Sequence, residues 1–402
     1  MIENFFLFFY LLFSLPKIAI ERLRGKRHPD FLQRLGFFSH ATARPLIWIH
    51  GVSVGEIRAA EPLFRQIRSK SLFFFVTTTT ATGMAEAKRS LPEADAFAYL
   101  PIDFTWVVRR FVKKLNPRAF ILVESDFWPN LLCALKKNGT KIALVSGKMS
   151  ENSFRRFLFF RRFSKGIFDY FDHVCVQNEE YFDRFSPFMR RAQKLRVTGN
   201  LKLDLKANTP PRKLPISGPA ITISCTHAPE EELLLNELMG GGWTILLAPR
   251  HPERFEGVAQ WLRKKKIEFC RLSENAFHSR LILIDAMGQL PACYTASQLA
   301  ILGGSFIETV GGHNVLEPCL YGTPVIFGPH MFKQQEFAKR VLDANGGVQV
   351  PLAALRKTVD RFFADSEWEK QLRQGAEKAI ELGRGVSRLT LEAIGGGLNL
   401  QA

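Results

Sequence analysis

At 402 residues the chain exceeds what one hydrophobic core ordinarily organises, so two domains are expected. Hydrophobic residues make up 46% of it, which excludes wholesale disorder, and a formal net charge of +17 calls for an anionic partner: nucleic acid, an anionic membrane surface or a phosphorylated substrate. The six cysteines (Cys133, Cys175, Cys225, Cys270, Cys293, Cys319) form no C-x-x-C or finger spacing, which argues against zinc and against a disulfide framework and fits a reducing compartment.

Residues 4–15, NFFLFFYLLFSL, are almost wholly apolar and are followed by Pro16, Lys17 and a basic run of Arg22, Arg24, Lys26 and Arg27. A secretory signal carries its charge ahead of the apolar run and a small-residue cleavage site behind it, and this segment has neither. Residues 1–44 are therefore expected to be an uncleaved membrane anchor, spanning or interfacial, with a basic flank that keeps the rest of the chain on the cytoplasmic side. From residue 45, apolar strand-like runs alternate with helical stretches: PLIWIH (45–50), LFFFVTTTT (72–80), AFAYLP (96–101), AFILVES (119–125), KIALVSG (141–147), HVCVQN (173–178) and KLRVTGN (194–200). Continuous Val, Ile, Leu and Phe runs between helices predict a parallel sheet buried on both faces. Within this half, FRRFLFFRRFSKGIF (154–168) interleaves Arg155, Arg156, Arg161, Arg162 and Lys165 with phenylalanines, and on a helix Phe157, Phe160 and Phe163 share one side. Such a segment suits an anionic lipid surface, single-stranded nucleic acid, or simply a solvated cationic helix face. KANTPPRKLPISGP (206–219), with four prolines, reads as a linker, after which AITISCT (220–226), WTILLAPR (243–250), RLILID (280–285), LAILGGS (299–305) and TPVIFGP (323–329) restart the alternation. The expectation is an α/β chain of two doubly wound halves, 45–205 and 220–402, with ligands at the carboxyl ends of the strands.

Six places carry candidate chemistry. Gly51-Val52-Ser53-Val54-Gly55 matches the nucleophile elbow of α/β hydrolases, but that elbow comes mid-sheet and here only the first strand precedes it. The other reading is that small residues at 51, 53 and 55 open the strand end, while Glu56, in the first helical turn, accepts a proton from a bound hydroxyl or merely complements the helix dipole. Arg250, in LAPRHPERF, ends a strand with a guanidinium suited to phosphate or carboxylate. Gly311-Gly312-His313-Asn314 precedes a helix carrying Glu317; glycines before a helix start suit phosphate, and Asn314 and Glu317 suit a ribose or base, though the pattern names no nucleotide. VESDFWPN puts Glu124 at another strand end, VTGNLKLD puts Lys202 just before the linker, and Gly288 permits close backbone approach in DAMGQL.

Taken together, HGVSVGE, TTTTATG, YLPID, ESDFWPN, QNEE, VTGNLKLD, APRHPERF, DAMGQL, GGHNVLEP and GTPVIFGPH resemble the Kdo (3-deoxy-D-manno-octulosonic acid) transferases of lipopolysaccharide synthesis. The resemblance implies a GT-B glycosyltransferase fold, two Rossmann-like domains facing a cleft, with a C-terminal helix that usually crosses back. It implies CMP-Kdo as donor substrate, a lipid A precursor (lipid IVA) as acceptor, no cofactor or metal, no nucleic acid, and a place at the cytoplasmic face of the inner membrane. By motif, Glu56 becomes the general base, and Glu124 and Lys202 stabilise the transition state. CMP falls to Pro249 and Arg250, to Met287, Gly288 and Gln289, and to Asn314, Val315, Leu316 and Glu317. Three departures stand out: Gln289 where the family commonly has Glu, ESDFWPN for ETELWPN, and a loop at 305–310 about one residue longer. Other nucleotide-sugar enzymes of the same fold, working on UDP-sugars, and a non-catalytic basic membrane binder are the competing readings.

Overall fold

The computed structural model of the protein describes residues 31–36, 42–207 and 212–398. The apolar 4–15 segment lies outside them, as does part of the 206–219 linker, and among the described residues no helix is long and apolar enough to cross a membrane.

The chain divides into two units, residues 1–205 with 385–402, and residues 206–384. The first is built on strands β1 (Leu46–His50), β2 (Phe73–Thr78), β3 (Ala96–Tyr99), β4 (Ala119–Val123), β5 (Lys141–Gly147), β6 (His173–Val176) and β7 (Leu195–Val197). All are parallel, in the order β3-β2-β1-β4-β5-β6-β7. Helices cover both faces, which is why runs such as Phe73–Val76 are buried at every position rather than at alternate ones. Trp48 of β1 is wholly buried among Phe75, Phe111 and Phe120, and its indole N–H is satisfied by the Thr77 hydroxyl at 2.8 Å.

The second unit repeats the plan with β8 (Ala220–Thr226), β9 (Thr244–Pro249), β10 (Cys270–Arg271), β11 (Leu281–Leu283), β12 (Leu299–Leu302), β13 (Val325–Phe327) and β14 (Gly347–Gln349), in the order β10-β11-β9-β8-β12-β13-β14. In each sheet the winding reverses beside the first strand, between β1 and β4 and between β8 and β12. The loops leaving those strands at their carboxyl ends are where a doubly wound sheet opens a crevice.

The second unit ends at residue 384 rather than 402, in keeping with a C-terminal helix that crosses back. The last helix, Val386–Leu398, does not belong with residues 220–384 but packs on the first unit. Its buried face, including Val386, Ile394 and Leu398, finds its complement there: Gly199 leaves room for Val386, and Gly397 lies directly against the His173 ring, where any larger residue would collide. The helix start is held by Asp204, whose carboxylate accepts from the Gly385 N–H at 2.6 Å, the Ser387 N–H at 2.5 Å and the Ser387 hydroxyl. Asp204 thus serves as an N-cap supplied from far away in sequence. Asp204→Ala is expected to cost about 1–2 kcal/mol in denaturant unfolding and to raise amide exchange selectively in 386–398. Unchanged exchange in that helix would show that apolar packing alone holds it.

Candidate active site

In the first unit, β1 ends at His50 and the helix Val54–Ile67 begins four residues later. Ser53 is its N-cap and Glu56 its third residue, the serine/glutamate spacing of a capping box. The Glu56 carboxylate turns back to accept from the Val52 N–H and, at 3.4 Å, from the Ser53 N–H. Ser53 thus stands at the N-cap of this helix, with its backbone N–H turned to Glu56. The glycines act differently from expectation. Gly51 faces the Glu56 and Ile57 side chains of its own turn, while Gly55 leaves the space into which Lys202 reaches, its Nζ 3.7 Å from where a Cβ would stand.

Glu124 follows β4, the strand hydrogen-bonded to β1, so Glu56 and Glu124 leave the two strands that flank the winding reversal. Glu124 has φ +70°, a left-handed conformation that costs a side-chain-bearing residue on the order of 1–2 kcal/mol. The sheet holds it there: its N–H donates to Val145 O at 3.0 Å and its carbonyl accepts from Lys148 N at 3.2 Å. The side chain is almost fully buried, with Lys202 Nζ on Oε1 at 2.5 Å and Lys148 Nζ on Oε2. Burial pushes this carboxyl up, but the two lysines outweigh it and hold Glu124 below the usual carboxylate range. Among the described residues Glu56 has no such ion-pair partner. Burial first, and then the charge of Glu124, raise its pKa to about 7, against the smaller opposing pull of the Val52 N–H and Lys148. Asp126, raised by burial, adds to the negative field.

Lys202 sits in the 3-10 turn Leu201–Asp204. Asn200 caps that turn by accepting from Lys202 N at 3.1 Å and donates to Gln177 at 3.2 Å; Gln177 donates to Ser146 O at 2.9 Å. QNEE and VTGN were visible as motifs, but their work as the backing of Lys202 was not. Lys148 was missed altogether. The available signal was its place directly after β5, at the same sheet edge as Glu56 and Glu124.

In the second unit, Arg250 follows β9, exposed, with its N–H on Thr226 O at 3.1 Å. His313 lies part-buried beside it, stacked on His227 with the two Nε2 atoms 2.8 Å apart, and His251 approaches His227 edge-on. Burial, then Arg250 and the neighbouring histidines, push His313 down to about 3, so the pair is neutral at pH 7. The loops beneath are tied by two carboxylates that the motifs did not reveal. Glu230 accepts from the N–H groups of Gly304 (2.6 Å), His227 (3.0 Å) and Phe306 (3.1 Å). Glu231 binds Arg254 through both oxygens, at 2.7 and 2.9 Å, and accepts from the Thr226 hydroxyl. Their signal was the acidic run Glu230–Glu232 opening the helix after β8.

The expected helix after Gly311-Gly312 is a single turn, Leu316–Cys319. Asn314 Oδ1 accepts from Leu316 N at 3.0 Å and Gly312 N donates to Gly304 O at 2.7 Å, so these donors and this acceptor are already engaged. So short a helix carries little dipole, and any attraction for phosphate rests on Arg250 rather than on the helix. Pro249 closes β9, and the loop of Met287, Gly288 and Gln289 follows β11, the neighbour of β9. Met287 is exposed, Gly288 has φ +77°, and the Gln289 side-chain oxygen is buried with no hydrogen-bond partner among the described residues. Val315 and Leu316 are buried, and Glu317 and Arg250 both act electrostatically on the buried Cys225 thiol. Among the described residues no group of three His, Cys, Asp or Glu is placed to hold a metal ion.

Two parallel doubly wound sheets, with acid-base and cationic side chains at the strand ends, define an α/β enzyme of the GT-B class. A glycosyltransferase from Rickettsia africae shares that fold, with a TM-score of 0.60 over 88% of this chain and 99% of the other at 13% identity. The family model described as 3-Deoxy-D-manno-octulosonic-acid transferase (kdotransferase) matches residues 30–205. The 3-deoxy-D-manno-octulosonic acid transferase of Bordetella pertussis is 32% identical over 91% of this chain and 90% of its own length. That of Haemophilus influenzae is 30% identical over 96% and 97%. The chain belongs to the Kdo transferase family, and is a glycosyltransferase of lipopolysaccharide synthesis.

Proposed function

We propose that the chain transfers Kdo from CMP-Kdo to a hydroxyl of a lipid A precursor, lipid IVA, with inversion at the anomeric carbon and without a metal. The observation that carries this reading is Glu56: a carboxylate with pKa about 7, beside a second carboxylate held ionised by two lysines, at the winding reversal of the first sheet. Glu56 takes the proton of the acceptor hydroxyl as its oxygen attacks the anomeric carbon. CMP leaves with the electrons of the broken bond. Glu124 orients Lys202 or meets positive charge developing on the sugar, and Lys202 meets negative charge. In the second unit Arg250 binds the CMP phosphate, with Pro249, Met287, Gly288, Gln289 and Asn314 to Glu317 around the nucleotide. No cofactor takes part. The work is placed at the cytoplasmic face of the inner membrane, with residues 4–15 as anchor.

The test is transfer from CMP-Kdo, made in situ, to a tetraacylated lipid A precursor, with and without chelator, the products weighed by mass spectrometry. Added Kdo in both arms is the expected result, and the mass counts the sugars. A melting shift with CMP but not UDP is expected alongside. No transfer by a folded, CMP-responsive protein would overturn the acceptor assignment.

A further inference from the structure

The 154–168 segment does not form the single amphipathic helix its spacing predicts. It is two helices, Glu151–Phe159 and Arg161–Phe168, broken at Phe160, whose ψ is +36°. The break is fixed from below by Ser164, a fully buried hydroxyl placed 2.9 Å from Phe157 O and 3.0 Å from Phe160 O, so that its single proton closes the carbonyl end of the first helix. Phe157 therefore turns inward, onto Phe127, Phe168 and Phe188, while the residues of the bend turn outward. Leu158 is 43% exposed, Phe159 82% and Phe160 56%, with the two rings in edge contact at 4.8 Å.

Exposed leucine and phenylalanine at one bend leave apolar surface in water that a partner could bury. What surrounds them says what covers them. Arg155, Arg156, Arg161 and Arg162 are all exposed around the bend. Arg155 is paired with Glu151, and the other three have no carboxylate partner among the described residues. Apolar rings at the tip and cations around them match an anionic bilayer, whose acyl region takes the rings and whose headgroups take the arginines. A protein partner would have to supply an apolar pocket ringed with acids.

We infer that the bend Leu158-Phe159-Phe160 is an insertion tip that docks the first unit on an anionic lipid surface. The helix bearing it starts three residues after Lys148 and rests, through Phe157, on Phe127, three residues after Glu124. The tip therefore leaves the same sheet edge as the proposed base. The inference rests on the lipid acceptor proposed above and gives the first unit a contact with the bilayer besides the N-terminal segment.

The test uses the full chain with Phe159→Cys labelled by an environment-sensitive fluorophore (NBD). The unaltered chain is labelled as background, since five of the native cysteines are buried and Cys133 is partly so, and Lys370→Cys reports on an exposed site of the second unit. The probe vesicles are phosphatidylcholine alone or mixed with phosphatidylglycerol, with no donor or acceptor, so that failed insertion and failed transfer are separate results. The expected result is a blue shift and an emission rise of about twofold or more at 159, not at 370, on the mixed vesicles alone. Arg161→Gln with Arg162→Gln is expected to weaken the response about tenfold or more, as is high salt. No response at 159 would overturn the inference, whether or not the chain co-floats with the vesicles. So would an equal response on neutral vesicles, or a probe already buried before vesicles are added, which would mean that the N-terminal segment or a second copy covers the tip.

Discussion

Glu56→Gln is expected to lower kcat for Kdo transfer by about 10²–10⁴-fold while leaving the fold and CMP binding in place. Glutamine keeps the shape and the oxygen that accepts from the Val52 and Ser53 N–H groups, so the helix start survives. What it cannot do is take a proton. Because the pKa of Glu56 is raised to about 7, kcat/KM of the unaltered protein is expected to climb with pH through that value and level off above it. The variant is expected to lose this limb. Lys148→Met removes a cation that pulls Glu56 down, so the limb is expected to move to higher pH, and Lys148→Arg to restore it. A merely structural Lys148 would lower stability and leave the limb where it was. Stability carries the opposite sign. A carboxyl whose pKa is raised in the folded state contributes most below its unfolded value and loses that contribution as pH rises through about 7. The unaltered protein is therefore expected to lose on the order of 2–3 kcal/mol between pH 5 and 8 from this group, a loss the glutamine variant lacks. A pH–rate profile with its limb near 4.5 in the unaltered protein would remove Glu56 as the base.

What was legible in the chain follows from burial. Strands covered on both faces write themselves as unbroken apolar runs, and PLIWIH, AFILVES and AITISCT are found as β1, β4 and β8. The edge strands β10 and β14 were not legible. They are Cys270–Arg271 and Gly347–Gln349, too short and too polar to make a run. Glu56, Glu124 and Lys202 could be picked out because they stand in recognisable motifs, near strand ends or the linker. That they form one cluster could not, since it depends on the order β1-β4-β5 and on the turn at 201–204. Lys148 escaped because the cluster's charge balance, rather than any local pattern, gives it its place. The Phe157, Phe160, Phe163 stripe failed for a related reason: helical spacing assumes a continuous helix, and Ser164 ends the first one at Phe159. For the last helix nothing local says which of two similar sheets it meets, and only the family resemblance sends it back to the first.

Removing the carboxylate of Glu124 is expected to lower both stability and rate, with a fall in kcat of about 10²–10³-fold. Lys148 and Lys202 would then face each other's charge without the group that both bind. Breaking a fully buried pair costs about 3–5 kcal/mol, and because both ammonium groups are partly solvated, Glu124→Ala is expected to cost roughly 2–3 kcal/mol in denaturant unfolding. The backbone supplies an internal check. At φ +70° alanine is strained and glycine is not, so Glu124→Gly is expected to be more stable than Glu124→Ala by about 1 kcal/mol, the reverse of the order in an ordinary strand or helix. The pH dependence separates the partners. Glu124, depressed in the folded state, contributes stability above its unfolded pKa and loses it as pH falls through the folded value; Lys148, raised, loses its share as pH rises through its own. Glu124→Ala is therefore expected to flatten both the acid and the alkaline arms of the stability curve. Adding Lys148→Met and Lys202→Met to it relieves the unpaired charge and is expected to recover much of the stability and none of the rate, because the cluster exists to fix a charged carboxylate and a charged amine beside Glu56, and an apolar replacement keeps only the packing. Recovery of transfer in the triple variant would show that the cluster serves the fold alone.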